Sequence, residues 1–210
     1  MKIQFSSAEV KQIIISAIVL SIAFAIAYAD GLAGMLKIGV TQLPFLVGFS
    51  FIAVGIGFLA HELIGHKIVG QHYGLYAEYR MWNSGLVIAL LSSLVGFVFA
   101  APGAVYLAQR MDLWGRPATV TKKTIGIVGL MGPVVNIIIA ALFLLVNSFY
   151  SIEVAGISIF MMAVSINIWL ALFNMIPIPP LDGSKVFAWD KRIFAVVFIA
   201  LIAMFVLIAF

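Results

Sequence analysis

Long apolar runs separated by short polar and basic segments dominate this chain. Five of them, at approximately 12–29, 43–68, 124–147, 156–176 and 193–210, reach the roughly 17–25 residues with which a helix crosses a bilayer. A sixth apolar run, Leu86–Leu107, is interrupted by Pro102-Gly103. A run of that kind crosses once, forms a tight hairpin, or enters and returns on the same side.

Positive charge separates these arrangements. A single crossing would set Lys2, Lys11, Lys67 and Arg80 against Lys37, Arg110, Arg116, Lys122, Lys123, Lys185, Lys191 and Arg192. A return to its own side leaves Lys37 alone on the far face, and the positive-inside rule strongly favours that division. The same choice brings His66 and Asp182 to one face of the membrane. Backbone that is not helical at membrane depth must be buried in protein or face water, so this element should pack over the polar residues. The expected fold is an all-α polytopic membrane protein. It has about five to six transmembrane helices and a re-entrant or hairpin element at 86–107. It forms a single domain over 1–210, with its amino terminus and basic loops in the cytoplasm. No cleavable signal is evident, because the first apolar run is long enough to remain as a span.

Composition agrees with this reading. Hydrophobic residues make up 64% of the chain and charged residues 10%, against roughly 25% charged in a soluble domain. The mean hydropathy is +1.20. The net charge of +4 is distributed between apolar runs, which reads as membrane topology rather than nucleic-acid binding. Zero cysteines exclude disulfides and thiolate metal sites.

Ionisable residues inside such runs are costly and are candidates for function. His61-Glu62-Leu63-Ile64-Gly65-His66 closes the second span, and Asn174–Gly183 reads NMIPIPPLDG. Two imidazoles, a carboxylate between them and a distant Asp are what a catalytic zinc site requires. In the HExxH zinc motif the histidines are four apart, about 40° around a helix; at five apart they would diverge by about 140° on a regular α-helix. A π-bulge absorbs one inserted residue, and such bulges are frequent at functional sites. Gly65 is suited to the irregular conformation. His72, in a polar segment, reads as surface, and Lys67 and Arg80 as cytoplasmic anchors. Pro177, Pro179 and Pro180 stop the helix before them and deliver Asp182 on an extended arm, with Gly183 allowing a turn. Taken alone, this second segment reads better as a proline-rich loop with a solvated Asp.

HELIGH and NMIPIPPLDG, in that order, resemble the site-2 protease family of intramembrane zinc metallopeptidases. Gly132-Pro133-Val134-Val135-Asn136 resembles the family's GPxxN signature. The likeness runs from about 43 to 186. It implies that His61, His66 and Asp182 bind Zn2+ and that Glu62 is the general base for the attacking water. It also implies that Asn174 stabilises the oxyanion, and that Gly132, Pro133 and Asn136 serve helix packing. The implied partners are membrane-embedded protein substrates within the lipid bilayer of a multi-pass cell-membrane protein. The active site would open toward the cytoplasm, near Lys67 and Lys185. Tyr79, Met81 and Trp82 suit the membrane interface, and part of Leu86–Leu107 could offer a strand edge to an unwound substrate. The inserted residue of HELIGH departs from the family pattern. Two other classes compete: a relative that binds membrane helices without cutting them, and a metal or proton carrier. The carrier needs a polar path through several spans, and the interiors of 12–29, 124–147 and 193–210 contain no charge beyond those at their ends.

Overall fold

The computed structural model describes residues 5–38, 42–109, 120–154 and 156–209. Of the basic residues weighed above, Lys2, Arg110 and Arg116 lie outside these ranges, as does Phe210 at the end of the last run. The first helix, α1 (Ser7–Tyr28), starts where the Ser6 hydroxyl accepts the Glu9 backbone N–H at 3.0 Å. A short α2 (Gly31–Ile38) follows. Next, α3 (Leu43–Leu59), with Pro44 in its first turn, runs without a break into a π-helical segment (Ala60–Ile68) and a final turn, α4 (Val69–His72). The expected widened turn is therefore present, and it spans the whole HELIGH sequence.

Strand β1 (Leu75–Met81) leads to α5 (Asn83–Ser93), and the chain returns in extended form to β2 (Gly103–Gln109). The strands pair antiparallel from Leu75 opposite Gln109 to Met81 opposite Gly103. Trp82 N–H donates to the Pro102 carbonyl at 2.8 Å and closes the base of the excursion. The run Leu86–Leu107 thus leaves and re-enters at one level, as the charge pattern required. It consists of a helix going in and extended backbone coming out.

The long α6 (Lys122–Phe149) begins under a Thr121 hydroxyl cap, which accepts the Thr124 N–H at 3.1 Å. A two-residue hairpin, β3 (Glu153–Val154) with β4 (Ile157–Ser158), precedes α7 (Ile159–Asn174). At 16 residues, α7 is shorter than the apolar run 156–176 that suggested it, because the hairpin takes the start of that run. Non-helical backbone follows from Met175 to Leu181. Then α8 (Asp182–Trp189) and α9 (Lys191–Ala209) complete the described chain.

Four helical stretches among the described residues are long and apolar enough to cross a membrane: α1, α3 through α4, α6 and α9. The shorter apolar helices α5 and α7 lie among them. The protein is an all-α membrane protein with two small β-ribbons. Its main buried cluster joins α1, α3, α7 and the returning segment of the hairpin through Leu20, Phe24, Val54, Phe58, Ala100 and Ile166.

Two polar residues sit differently from their expected places. Lys67 is 1% exposed and so is not an interfacial anchor. Its Nζ contacts both carboxylate oxygens of Glu9, at 2.5 and 2.6 Å, and Glu9 Oε1 also accepts the Tyr79 N–H at 2.9 Å. Tyr79 is fully buried rather than interfacial, its hydroxyl donating to Ser16 Oγ at 2.8 Å. Arg80 is exposed, as expected.

Candidate metal centre

The π-helical segment aligns the two histidines. Closing i→i+5 rings sets positions five apart above one another, and the His61 and His66 ring centroids lie 4.7 Å apart. Gly65 contributes by lacking a side chain rather than by adopting an unusual backbone conformation, since its φ is not positive. A methyl group there would fall 2.5 Å from the Gly132 α-carbon. Gly132 in turn touches the rings themselves, a methyl group at that position falling 2.5 Å from His66 Cε1 and 2.6 Å from His61 Nε2. The two glycines let α6 approach the π segment closely enough to close one wall of the site.

Asp182 arrives from the other direction. The Met175–Leu181 arm, whose Pro179-Pro180 peptide is cis, ends where α8 begins, so Asp182 occupies the first helical turn rather than an extended arm. The Gly183 backbone packs against the Met175 and Ile176 carbonyls, where a Cβ would clash. Asp182 Oδ2 lies 3.2 Å from His61 Nε2 and 2.9 Å from His66 Nε2. One donor atom from each of the three residues falls within 4.8 Å of the others, and all three residues are buried.

The ring nitrogens show what this cluster can hold. His61 Nδ1 faces Asn136 Oδ1 at 2.5 Å, and His66 Nδ1 faces the Val128 carbonyl at 2.8 Å. Both Nε2 atoms face the same carboxylate oxygen. A neutral imidazole has one N–H, so each ring meets acceptors on both sides and can satisfy only one. A cation between the Nε2 atoms and Asp182 resolves this, leaving each Nδ1–H to its oxygen acceptor. Two imidazoles and a carboxylate, each imidazole held by an oxygen behind it, form a donor set that fits zinc.

Glu62, 5% exposed, lines the same cavity, of about 520 Å³, with His66 and Asp182. Its Oε2 has no hydrogen-bond partner, alone among the buried side-chain oxygens and nitrogens of the described residues. Asn174 stands on the cavity wall, donating one N–H to the Leu170 carbonyl at 2.9 Å. Lys185 Nζ donates to Asp182 Oδ1 at 2.9 Å. Burial opposes the Lys185 charge, but the Asp182 carboxylate outweighs it and raises the ammonium above the ordinary lysine range. Lys185 thus flanks the cavity as expected, whereas Lys67 faces Glu9 and is not among the lining residues. His72 is exposed. The opposite wall is β2, from Gly103 to Leu107.

Asn136 is the residue the sequence undervalued. Assigned to helix packing by resemblance, it holds the Nδ1 side of His61 as well. Its signal was available: a fully polar amide inside an apolar span is itself costly and marks a site.

No protein-family model matches the sequence. No solved structure matches it. Two proteins of Methanocaldococcus jannaschii do. "Zinc metalloprotease MJ0392" is 27% identical over 136 residues, which is 65% of this chain and 32% of that protein. "Putative zinc metalloprotease MJ0611" is 36% identical over 200 residues, covering 95% of this chain and 93% of its own. With that identity over nearly the full length of both proteins, and a buried His-His-Asp cluster suited to zinc, the chain belongs to the zinc metalloprotease family of this second relative.

Proposed function

We propose that the protein is an intramembrane zinc metallopeptidase of the site-2 type, which cuts membrane-embedded segments of other proteins. The observation that carries this reading is the convergence of His61, His66 and Asp182 beside an unpartnered Glu62 carboxylate oxygen. All four residues are buried.

His61, His66 and Asp182 would hold the zinc. When bound, zinc lowers the pKa of water to about 7 and polarises a carbonyl group. Glu62 Oε2 has no competing partner and takes the proton of the attacking water, then returns it to the leaving amine. Asn174 has two amide N–H groups and spends one on Leu170; the second, without a partner among the described residues, would donate to the oxyanion. Lys185 neutralises the outer oxygen of Asp182, so the ligand keeps its charge in an apolar surround.

Substrate enters as extended backbone, because a helix has no free peptide groups to present. Among the described residues β2 pairs with β1 alone, and Gly103–Leu107 of β2 line the cavity. The free edge supports strand addition by an unwound substrate alongside Glu62 and His66. The basic residues of the loops orient the cavity toward the cytoplasmic side of the cell membrane.

The test is purified protein in detergent or bilayers with a transmembrane reporter substrate. One equivalent of zinc and cleavage within the spanning segment are expected, and a chelator should abolish the cleavage. Zinc uptake without cleavage of any transmembrane substrate would favour the alternative, a relative that binds membrane helices without cutting them. Absence of zinc would end both the peptidase reading and the ligand assignment.

A further inference from the structure

Behind His61 lies a row of buried amides that touches neither the cavity nor the substrate path. Asn136 Nδ2 donates to the Gly57 carbonyl at 3.1 Å and to Asn167 Oδ1 at 2.8 Å. Asn167 Nδ2 donates to the Ala163 carbonyl, one turn earlier on α7, at 2.9 Å. Both asparagines are 0% exposed. We propose that Asn167 is a positioning residue that fixes the direction of the Asn136 amide, and through it the tautomer and ring plane of His61. This rests on the metal reading above.

The argument is one of donors and acceptors. An asparagine amide can be placed either way round, and its surroundings choose. Ala163 offers only a carbonyl, so Asn167 must turn its NH2 there and its Oδ1 toward Asn136. Asn136 then meets two acceptors, Gly57 O and Asn167 Oδ1, and must turn its NH2 to them. Its Oδ1 is left for His61, where it can only accept. His61 must therefore carry its proton on Nδ1 and present the Nε2 lone pair to Asp182 and the metal position. Without Asn167 only the Gly57 carbonyl would direct the Asn136 NH2 group. Gly57 carries a second sign of this arrangement. A Cβ there would fall 2.5 Å from Asn167 Oδ1, so the glycine admits the amide against the α3 backbone. Such outer partners of ligating histidines commonly contribute about 10–100-fold in metal affinity.

The chain has three histidines, which makes selective 15N-histidine labelling informative, with exposed His72 as internal reference. The experiment compares zinc affinity, by chelator competition, and ring-nitrogen spectra of zinc-loaded wild-type, Asn167→Leu and Asn167→Asp proteins. Asn167→Leu should weaken zinc binding by about 10–100-fold and shift or broaden the His61 signals while leaving His72 unchanged. A buried Asp against a carbonyl stays protonated and can remake both bonds, one as O–H donor and one as acceptor. Asn167→Asp should therefore remain within about threefold of wild type. Zinc affinity and His61 signals unchanged in Asn167→Leu would overturn the proposal, as would equal loss in both variants. Wild-type protein that takes up no zinc would overturn the metallopeptidase reading as well.

Discussion

Gly65 and Gly132 meet backbone against backbone, with room for no side chain between them: a methyl group on Gly65 would lie 2.5 Å from the Gly132 α-carbon and 2.7 Å from its nitrogen. The contact joins the two motifs that the sequence separates by more than sixty positions. It also places α6 where its Val128 carbonyl accepts from His66 and its Asn136 accepts from His61.

Gly132→Ala is therefore expected to act on the metal rather than on the fold. Alanine is a better helix former than glycine, but its methyl would press on both imidazoles. Zinc affinity should fall by at least about tenfold while the circular dichroism and melting temperature in detergent hold. Wild-type zinc affinity in this variant would mean that the rings have slack at this wall.

Removing the extra residue of HELIGH should be tolerated at one position. Ile64 points outward and is 52% exposed, whereas Leu63 packs against the main buried cluster. Deleting Ile64 converts the π turn into a regular turn and returns His61 and His66 to a four-residue spacing, about 40° apart. One equivalent of zinc should still bind, and isothermal titration is the direct measure. Loss of zinc on this deletion would show that the widened turn does more than absorb an insertion.

Glu62→Gln separates binding from chemistry. The unpartnered Oε2 makes no contact with the three ligands that an amide would break, so zinc stoichiometry should stay at one. Turnover should fall by roughly 10²–10⁴-fold, the usual contribution of a general base. Asp182→Ala should lose metal and turnover together. If Glu62→Gln loses its zinc, the carboxylate is a ligand; if it still cleaves, another group is the base.

The Glu9–Lys67 pair joins the start of α1 to the end of the π segment, and Glu9 also holds β1 through Tyr79 N–H. Removing one partner strands the other charge, so Lys67→Met should destabilise by about 3–5 kcal/mol. Glu9→Gln together with Lys67→Met should recover much of that loss, because the glutamine oxygen can still accept from Tyr79. Thermal unfolding of the three proteins in one detergent tests this. A single variant as stable as wild type would show that water reaches the pair.

Much of this protein is legible along its sequence. Depth in a bilayer depends on the run length of apolar side chains, so α1, α3 through the π segment, α6 and α9 could be read directly. The return of the Leu86–Leu107 run could be inferred from basic residues, whose cost on the far face is independent of packing. His61, Glu62 and His66 stood out as candidates because ionisable groups in an apolar run are costly, whereas Asp182 gained weight only beside them.

Which groups meet is a different matter. Lys67 reads as an anchor until α1 brings Glu9 to it from 58 positions away. Asn136 reads as packing until Gly65 and Gly132 bring it within reach of the His61 ring, and Asn167 has no sequence mark beyond being polar in an apolar helix. Helices that are apolar on every side, as these nearly are, carry little information about which face turns inward. Their rotation is settled by close approach at glycines and by buried polar groups finding acceptors. Sequence alone therefore determined which segments are long and apolar enough to cross a membrane and which residues could do chemistry. The tertiary structure decided which of them share a site, because in a bilayer small surfaces and hydrogen bonds set the helix contacts that hydrophobic burial would set in water.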